Sequence, residues 1–307
     1  MSTMTDITGV SVGSRVAGGR SFTGLGAVTR AELSKLARRP AAWALVGTAV
    51  ALNQIFAYVI PYFAYRGDTT GDFADGGSTP EQLLAGMMPA SLVANTVGAF
   101  AVFVGALALV LGALVTGTEH TGGTLKTLLT QRPGHAAVVI GQVLAVIAAV
   151  GVGIVGLALT GALSAVVVGL AEGQTLVWTS VGDLASGLGA GWAILAMWGA
   201  IGAALGALLR AVAMPIGLGV VWILAIENLI TAVSRSTLTS LAGLRDVLPG
   251  VNAGSLIGSI LPSNGGAEGA PGVNTLVDGS RGLVTVLVYL VVAVVAAAFV
   301  TSRRDVA

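Results

Sequence analysis

Residues 136–171 read AAVVIGQVLAVIAAVGVGIVGLALTGALSAVVVGLA, without one charged side chain. A hydrocarbon core about 30 Å thick is crossed by roughly 20 apolar residues in helical form, because a helix satisfies its own backbone groups where no water can. The run is longer than one crossing requires and too short for two crossings with a turn between them. It therefore predicts one long or tilted helix that starts in the interface, with Gly141 and Gln142 near its entry. Working outward, further apolar segments of spanning length lie at 42–64 and 93–115 on one side and at 184–209, 211–233 and 283–300 on the other. With 141–170 they make six spans. Composition agrees: 55% of the 307 residues are hydrophobic, 9% are charged and the mean hydropathy is +0.91, values outside the range of a soluble domain.

The same composition excludes whole classes of function. A net charge of +1, with its few basic residues not gathered on any soluble domain, gives no footprint for nucleic acid. Cysteine is absent, which removes disulfides, thiolate metal sites and cysteine nucleophiles. Two histidines far apart, with no HExxH, leave no zinc site, and no metal is predicted. Neither GxSxG nor GxxxxGK[ST] occurs, so the chain has no serine nucleophile elbow and no phosphate loop. It binds no cofactor of its own, and any energy source must come from another protein.

Direction follows from the basic residues near span ends. With the N-terminus in the cytoplasm, Arg15, Arg20, Arg30, Lys35, Arg38, Arg39, Lys126, Arg132, Arg210, Arg303 and Arg304 are inside, and Arg66, Arg235, Arg245 and Arg281 are outside. The outer loops then carry Asp68, Asp72, Asp75, Glu81, Glu172, Asp183, Asp246, Glu268 and Asp278. Both termini are expected inside. Residues 1–27 read as a disordered cytoplasmic tail, since they are rich in Ser, Thr and Gly and lack the apolar core of a signal peptide. The membrane domain would occupy 28–307. At its start, Thr29 and Glu32 have the spacing of a capping box, and Leu33, Leu36 and Ala37 oppose Arg30, Lys35, Arg38 and Arg39. A basic amphipathic helix on the membrane surface is expected there, in contact with lipid.

Between the second and third spans lies TEHTGGTLKTLLTQRP, residues 118–133. Gly122 and Gly123 break the preceding span, Thr124 can cap, Leu125, Leu128 and Leu129 share a face, and Arg132-Pro133 stops the helix. Such a segment is either a loop helix resting on headgroups or a docking helix whose apolar face fills a groove while Glu119, His120, Lys126 and Arg132 set its orientation. The order of Glu119, Gly123-Thr124-Leu125-Lys126, Leu128-Leu129 and Arg132 resembles the first cytoplasmic loop of ABC-2 (type V) transporter permeases. The basic N-terminal helix, the six spans and the long loop before the last span are similar to that family over nearly the whole chain. The resemblance implies that Glu119 is the acidic residue at the contact with a separately encoded ATP-binding subunit. That subunit would bind ATP and Mg. It also implies a second permease chain, as homodimer or heterodimer, with the substrate path between the two. Pro133-Gly134-His135 departs from the family's usual exit from this loop.

Polar residues within spans narrow the search for a path. Asn53 and Gln54 lie mid-span in the first helix, where they either hold the bundle together or face the path. Glu227 is the one acid in any assigned span. With Asn228 it is either an interfacial group near the outer surface or part of a gate. Gly182, Gly187, Gly189, Gly191, Gly199, Gly202 and Gly206 crowd the fourth span and read as tight packing within the subunit. In the outer loop, Leu238, Leu241, Leu244, Val247 and Leu248 recur at helical spacing, and Leu256, Ile257, Ile260 and Leu261 form a second apolar cluster; the resemblance implies short re-entrant or surface helices here that close the exit. Residues 263–280 read as a flexible loop, and the acidic loop 66–89 as solvated, its spacing matching no EF-hand. The expectation is an all-α integral membrane protein of six transmembrane helices with an amphipathic interfacial helix, a cytoplasmic coupling helix and short extracellular helices before the last span. Its function would be that of the permease subunit of an ATP-driven exporter in a bacterial cytoplasmic membrane, the alternative being a gradient-driven transporter or channel.

Overall fold

The uncharged run forms one unbroken helix, His135–Ala171, in a computed structural model that describes residues 21–67, 79–121, 135–236, 239–261 and 272–303. At 1.5 Å per residue its 37 residues extend about 55 Å, well beyond a hydrocarbon core. The other five spans are Pro40–Tyr65, Pro89–Thr118, Val181–Leu209, Ala213–Arg235 and Gly279–Arg303. No strand occurs among the described residues. Alternation of the six spans places Pro40, Thr118, Ala137, Leu209, Ala213 and Arg303 at one end of the bundle, here the elbow end.

The second and fourth spans form the closest pair, and glycine is the reason. A Cβ added at Gly202 would fall on the backbone carbonyl of Leu109, and one at Gly112 on that of Gly199. Backbones this close allow Thr116 Oγ1 to donate to the carbonyl of Ala203 at 2.9 Å, the sort of contact that holds helices together in lipid. Around this seam Phe100, Leu109, Ile194, Met197 and Trp198 are fully buried. Of the fourth-span glycines singled out in the sequence, Gly187, Gly191, Gly199, Gly202 and Gly206 meet neighbouring helices, whereas Gly189 meets nothing within 4 Å. Burial separates the spans into two groups. The second, third and fourth bury 67%, 50% and 61% of their apolar window, and the first, fifth and sixth only 17% each. The latter three are the periphery, with faces left for lipid or for another chain.

The amphipathic helix runs from Ser21 to Arg38, so Thr29 and Glu32 are interior positions rather than a capping pair. Thr29 Oγ1 bonds back to the Leu25 carbonyl at 3.1 Å. Its inward face is Val28, Glu32 and Leu36, while Ala37 is exposed. This face lies on the third span, where the bare Cα of Gly141 admits Val28. Glu32, 5% exposed, receives Lys35 Nζ at 2.7 Å.

At the other end three short helices cover the bundle. Pro80–Met87 starts with a capping box between Thr79 and Gln82. Ala242–Arg245 follows a short turn at Thr239–Leu241, and Pro249–Ile260 is buried along most of its length. Residues 272–278, expected as part of a flexible loop, instead pack on this last helix. Asn274 accepts from Ser255 Oγ at 2.6 Å and from the Leu276 N–H at 3.2 Å, and Val277 N–H donates to Ser255 Oγ. Glu172 closes the same end by accepting the hydroxyls of Tyr62 at 2.9 Å and Tyr65 at 3.2 Å, which ties the first span to the third.

Candidate functional site

Three of the six spans lose α-helical regularity, and they are the first, second and fifth. Each contains a π turn: Ile55–Val59, Phe100–Val104 and Trp222–Ile226. A π turn widens the helix by one residue and frequently marks a functional position. Two of the three adjoin the intramembrane polar residues found in the sequence. Asn53 and Gln54 immediately precede the first turn, and Glu227 and Asn228 immediately follow the third.

Asn53 is buried and donates from Nδ2 to the Asn95 carbonyl at 2.5 Å, while Asn95 Nδ2 reaches the Gly86 carbonyl at 2.8 Å. Gln54 Oε1 accepts from Ser164 Oγ at 2.6 Å. These bonds clamp the first span to the second and third. They do not exhaust the amides, since Asn53 Oδ1 and Gln54 Nε2 are buried with no partner. An unmet buried donor or acceptor costs about 1–3 kcal/mol, so the pair retains binding capacity that packing alone does not use. Asn95 carried no signal in the sequence, because an amide at the end of an apolar run looks like a span boundary.

Glu227 is buried within the protein. Its side chain is 5% exposed, with Oε1 accepting from Trp222 Nε1 at 2.6 Å and Oε2 from the Gly250 N–H at 2.8 Å. Gly250 opens the helix Pro249–Ile260, whose N-terminal end lies deep in the bundle. The Tyr289 hydroxyl, midway along the sixth span, donates to the Val247 carbonyl at 3.0 Å, while Ser259 sits against Gly279 at that span's start. A short helix thus points its positive end into the membrane, where a carboxylate receives it. Asn228 turns back on its own span, its amide donating to the carbonyls of Ile223 at 3.2 Å and Leu224 at 3.0 Å that the π turn displaces. Glu227, Asn228, Thr231, Arg235 and Asn274 border a cavity of about 170 Å³. The sequence located Glu227; its partner Gly250 is a tertiary contact with no local signature.

At the elbow end the four basic residues of the amphipathic helix separate into two kinds. Arg30 and Arg38 are exposed. Lys35 pairs with Glu32, and Arg39 reaches across to the second span, donating from Nη1 to Thr118 Oγ1 at 3.0 Å and toward the Leu114 carbonyl at 3.5 Å. The helix that contains Thr118 continues through Glu119 and His120 to Thr121. Arg39 therefore grips the second span one residue before the acidic position of the expected coupling segment. Gly123, Thr124, Lys126, Leu128 and Arg132 lie outside the described residues, as do Asp68, Asp72 and Asp75 of the acidic loop and residues 1–20 of the tail.

No curated protein matches the chain. The sequence profile described as ABC-2 family transporter protein matches residues 26–306, from within the amphipathic helix Ser21–Arg38 through the last span. With six membrane-spanning helices and a match over nearly its whole length, the chain belongs to the ABC-2 family of transporter proteins.

Proposed function

We propose that the chain is the permease subunit of an ATP-driven exporter, paired with a separate ATP-binding subunit and with a second permease chain. The observation that carries the coupling role is the bond from Arg39 to Thr118. It joins the amphipathic helix to the base of the segment 119–132, so the two elements nearest a cytoplasmic partner move as one. Closure of the ATP-binding subunits would push on Glu119, His120, Gly123, Thr124, Lys126, Leu128 and Arg132. The push passes to the second span directly and to the first span through Arg39 and Pro40. The π turns of the first, second and fifth spans are the positions at which these helices can rotate one part against the other. Asn53, Gln54, Glu227 and Asn228 border those turns and are the residues assigned to the path or its gate.

In this reading the N- and C-termini face the cytoplasm of a bacterial inner membrane, and the helix Pro249–Ile260 closes the path from the outside. The partner holds ATP and Mg. The test is affinity purification of the tagged chain from mild detergent. The expected result is co-purification of an ATP-binding subunit of one or two domains, with vanadate-sensitive ATP hydrolysis that Glu119→Lys uncouples from transport. Reproducible absence of such a subunit from native membranes, or full export by Glu119→Lys, overturns the assignment.

A further inference from the structure

A cavity larger than the one beside Glu227 opens between the fifth and sixth spans. It encloses about 670 Å³, within the roughly 300–1,000 Å³ of small-molecule sites. Leu109, Trp198 and Leu205 form its floor, Leu218 and Trp222 one wall and Val292 the other. The contributing stretches are Trp198 to Leu208 on the fourth span, Leu218 to Ile226 on the fifth and Tyr289 to Val300 on the sixth, which reach from about mid-span toward the elbow end. Ten helical steps rise roughly 15 Å, half of a hydrocarbon core about 30 Å thick. The groove is one leaflet deep.

Its two ends differ in chemistry. The mid-membrane end is walled by Pro249, Tyr289 and Trp222. These are fixed by the Tyr289 bond to Val247 and by Glu227, which holds both Trp222 and the amide of Gly250. The elbow end runs out past Leu208 and Val300, and each is followed within one turn by an exposed arginine, Arg210 and Arg303. Arg210 leaves the fourth helix in the left-handed conformation, φ 51°, and Arg303 lies 4.5 Å from the Phe299 ring centre. Neither guanidinium meets a carboxylate at ion-pair distance among the described residues.

An apolar cavity does not hold water, so in a bilayer hydrocarbon fills it. A span from a second chain would supply hydrocarbon without a charge for the two arginines; an acyl chain under an anionic headgroup supplies both. We propose that this groove binds one acyl chain of an anionic phospholipid from the leaflet at the elbow end, its phosphate held by Arg210 and Arg303. This goes beyond the exporter assignment and holds whatever the chain transports.

Tryptophan fluorescence tests it. Trp198 is 1% exposed and Trp222 38%, and both line the groove. Trp43→Phe, Trp178→Phe and Trp192→Phe remove the indoles exposed elsewhere, and the full chain is then placed in nanodiscs of phosphatidylcholine with increasing brominated-chain lipid. Each basic residue near a membrane surface favours anionic lipid by roughly fivefold, so the two arginines together favour it by roughly tenfold or more. Half-quenching by brominated phosphatidylglycerol is accordingly expected at a mole fraction on the order of tenfold below that of brominated phosphatidylcholine. Arg210→Gln with Arg303→Gln should bring the two lipids to parity. Equal quenching by both lipids in the parent overturns the proposal, as does absence of quenching by either, which would mean that protein covers the groove. Native mass spectrometry of the unaltered chain gives a check free of tryptophan changes: it should retain an anionic phospholipid that the double arginine variant loses, and equal retention by the two counts against the site.

Discussion

Both partners of the Glu227 carboxylate are donors, Trp222 Nε1 and the Gly250 N–H. An amide at this position satisfies one and presents its own N–H to the other. Glu227→Gln is therefore expected to cost about 1–3 kcal/mol, read as a lower thermal transition in detergent; an unchanged transition would show that the carboxylate is not needed as a double acceptor. Gly202 gives a sharper contrast. Any side chain there meets the Leu109 backbone, which cannot turn aside, so Gly202→Val is expected to lose about 1–3 kcal/mol or more. Gly189 on the same helix meets nothing. Gly189→Ala should be neutral or stabilising by up to about 1 kcal/mol, from helix propensity. Similar effects at the two positions would contradict the seam between the second and fourth spans.

Among elements, the joint of the amphipathic helix with the second span and the start of the sixth span each make a measurable claim. Arg39→Ala, Thr118→Val and the double variant form a cycle whose coupling energy should be about 0.5–1.5 kcal/mol in thermal stability; additive singles would dissolve the joint. At the start of the sixth span, Asp278 accepts from the Ser280 hydroxyl and from the backbone N–H groups of Ser280 and Arg281, which hold its carboxyl below the usual range. A lowered folded-state value means that its contribution is complete above the ordinary carboxylate pKa and fades as pH falls through the lowered one. Protection of the Ser280 and Arg281 amides against hydrogen exchange should persist at neutral pH, fail well below about pH 3.9, and be lost at all pH values in Asp278→Ala, which keeps no side-chain acceptor. The sequence made the spans legible because bilayer thickness imposes length and apolarity on contiguous residues, as in 136–171. It made Glu227 legible because a lone acid in an apolar run stands out. It could not reveal the π turns, which come from a one-residue slip with no composition of its own, nor the depth of Pro249–Ile260, which depends on Tyr289 and Glu227 from other elements. Val28 and Glu32, rather than Leu33 and Ala37, lead the buried face of the amphipathic helix because Gly141 on the third span sets the contact, and that glycine lies more than a hundred residues away.

For the whole molecule, the core of second, third and fourth spans leaves the first, fifth and sixth with apolar faces that no other described part of the chain covers. If the first and fifth spans face a second copy, Phe56 and Leu224, which are exposed on their π turns, come near the junction. The absence of native cysteine makes this directly measurable. Phe56→Cys and Leu224→Cys should yield oxidative cross-links between copies in native membranes, whereas Val152→Cys on the exposed face of the third span should not. The reverse pattern would move the junction to the third span.

The corner between the amphipathic helix and the first span is stiff. Arg39 is extended, φ −86° and ψ 121°, the Pro40 ring fixes the next turn, and the Trp43 indole reaches back over both to the Ala37 carbonyl at 2.9 Å. A loose joint here would act as a bearing and dissipate any torque; this one is a crank. Its arm is 18 residues, about 27 Å at 1.5 Å per residue. A rotation of about 10° at the corner sweeps the far end through about 5 Å, close to one helical pitch. Small rotations of the first span and large excursions of this arm are then one motion seen at two radii.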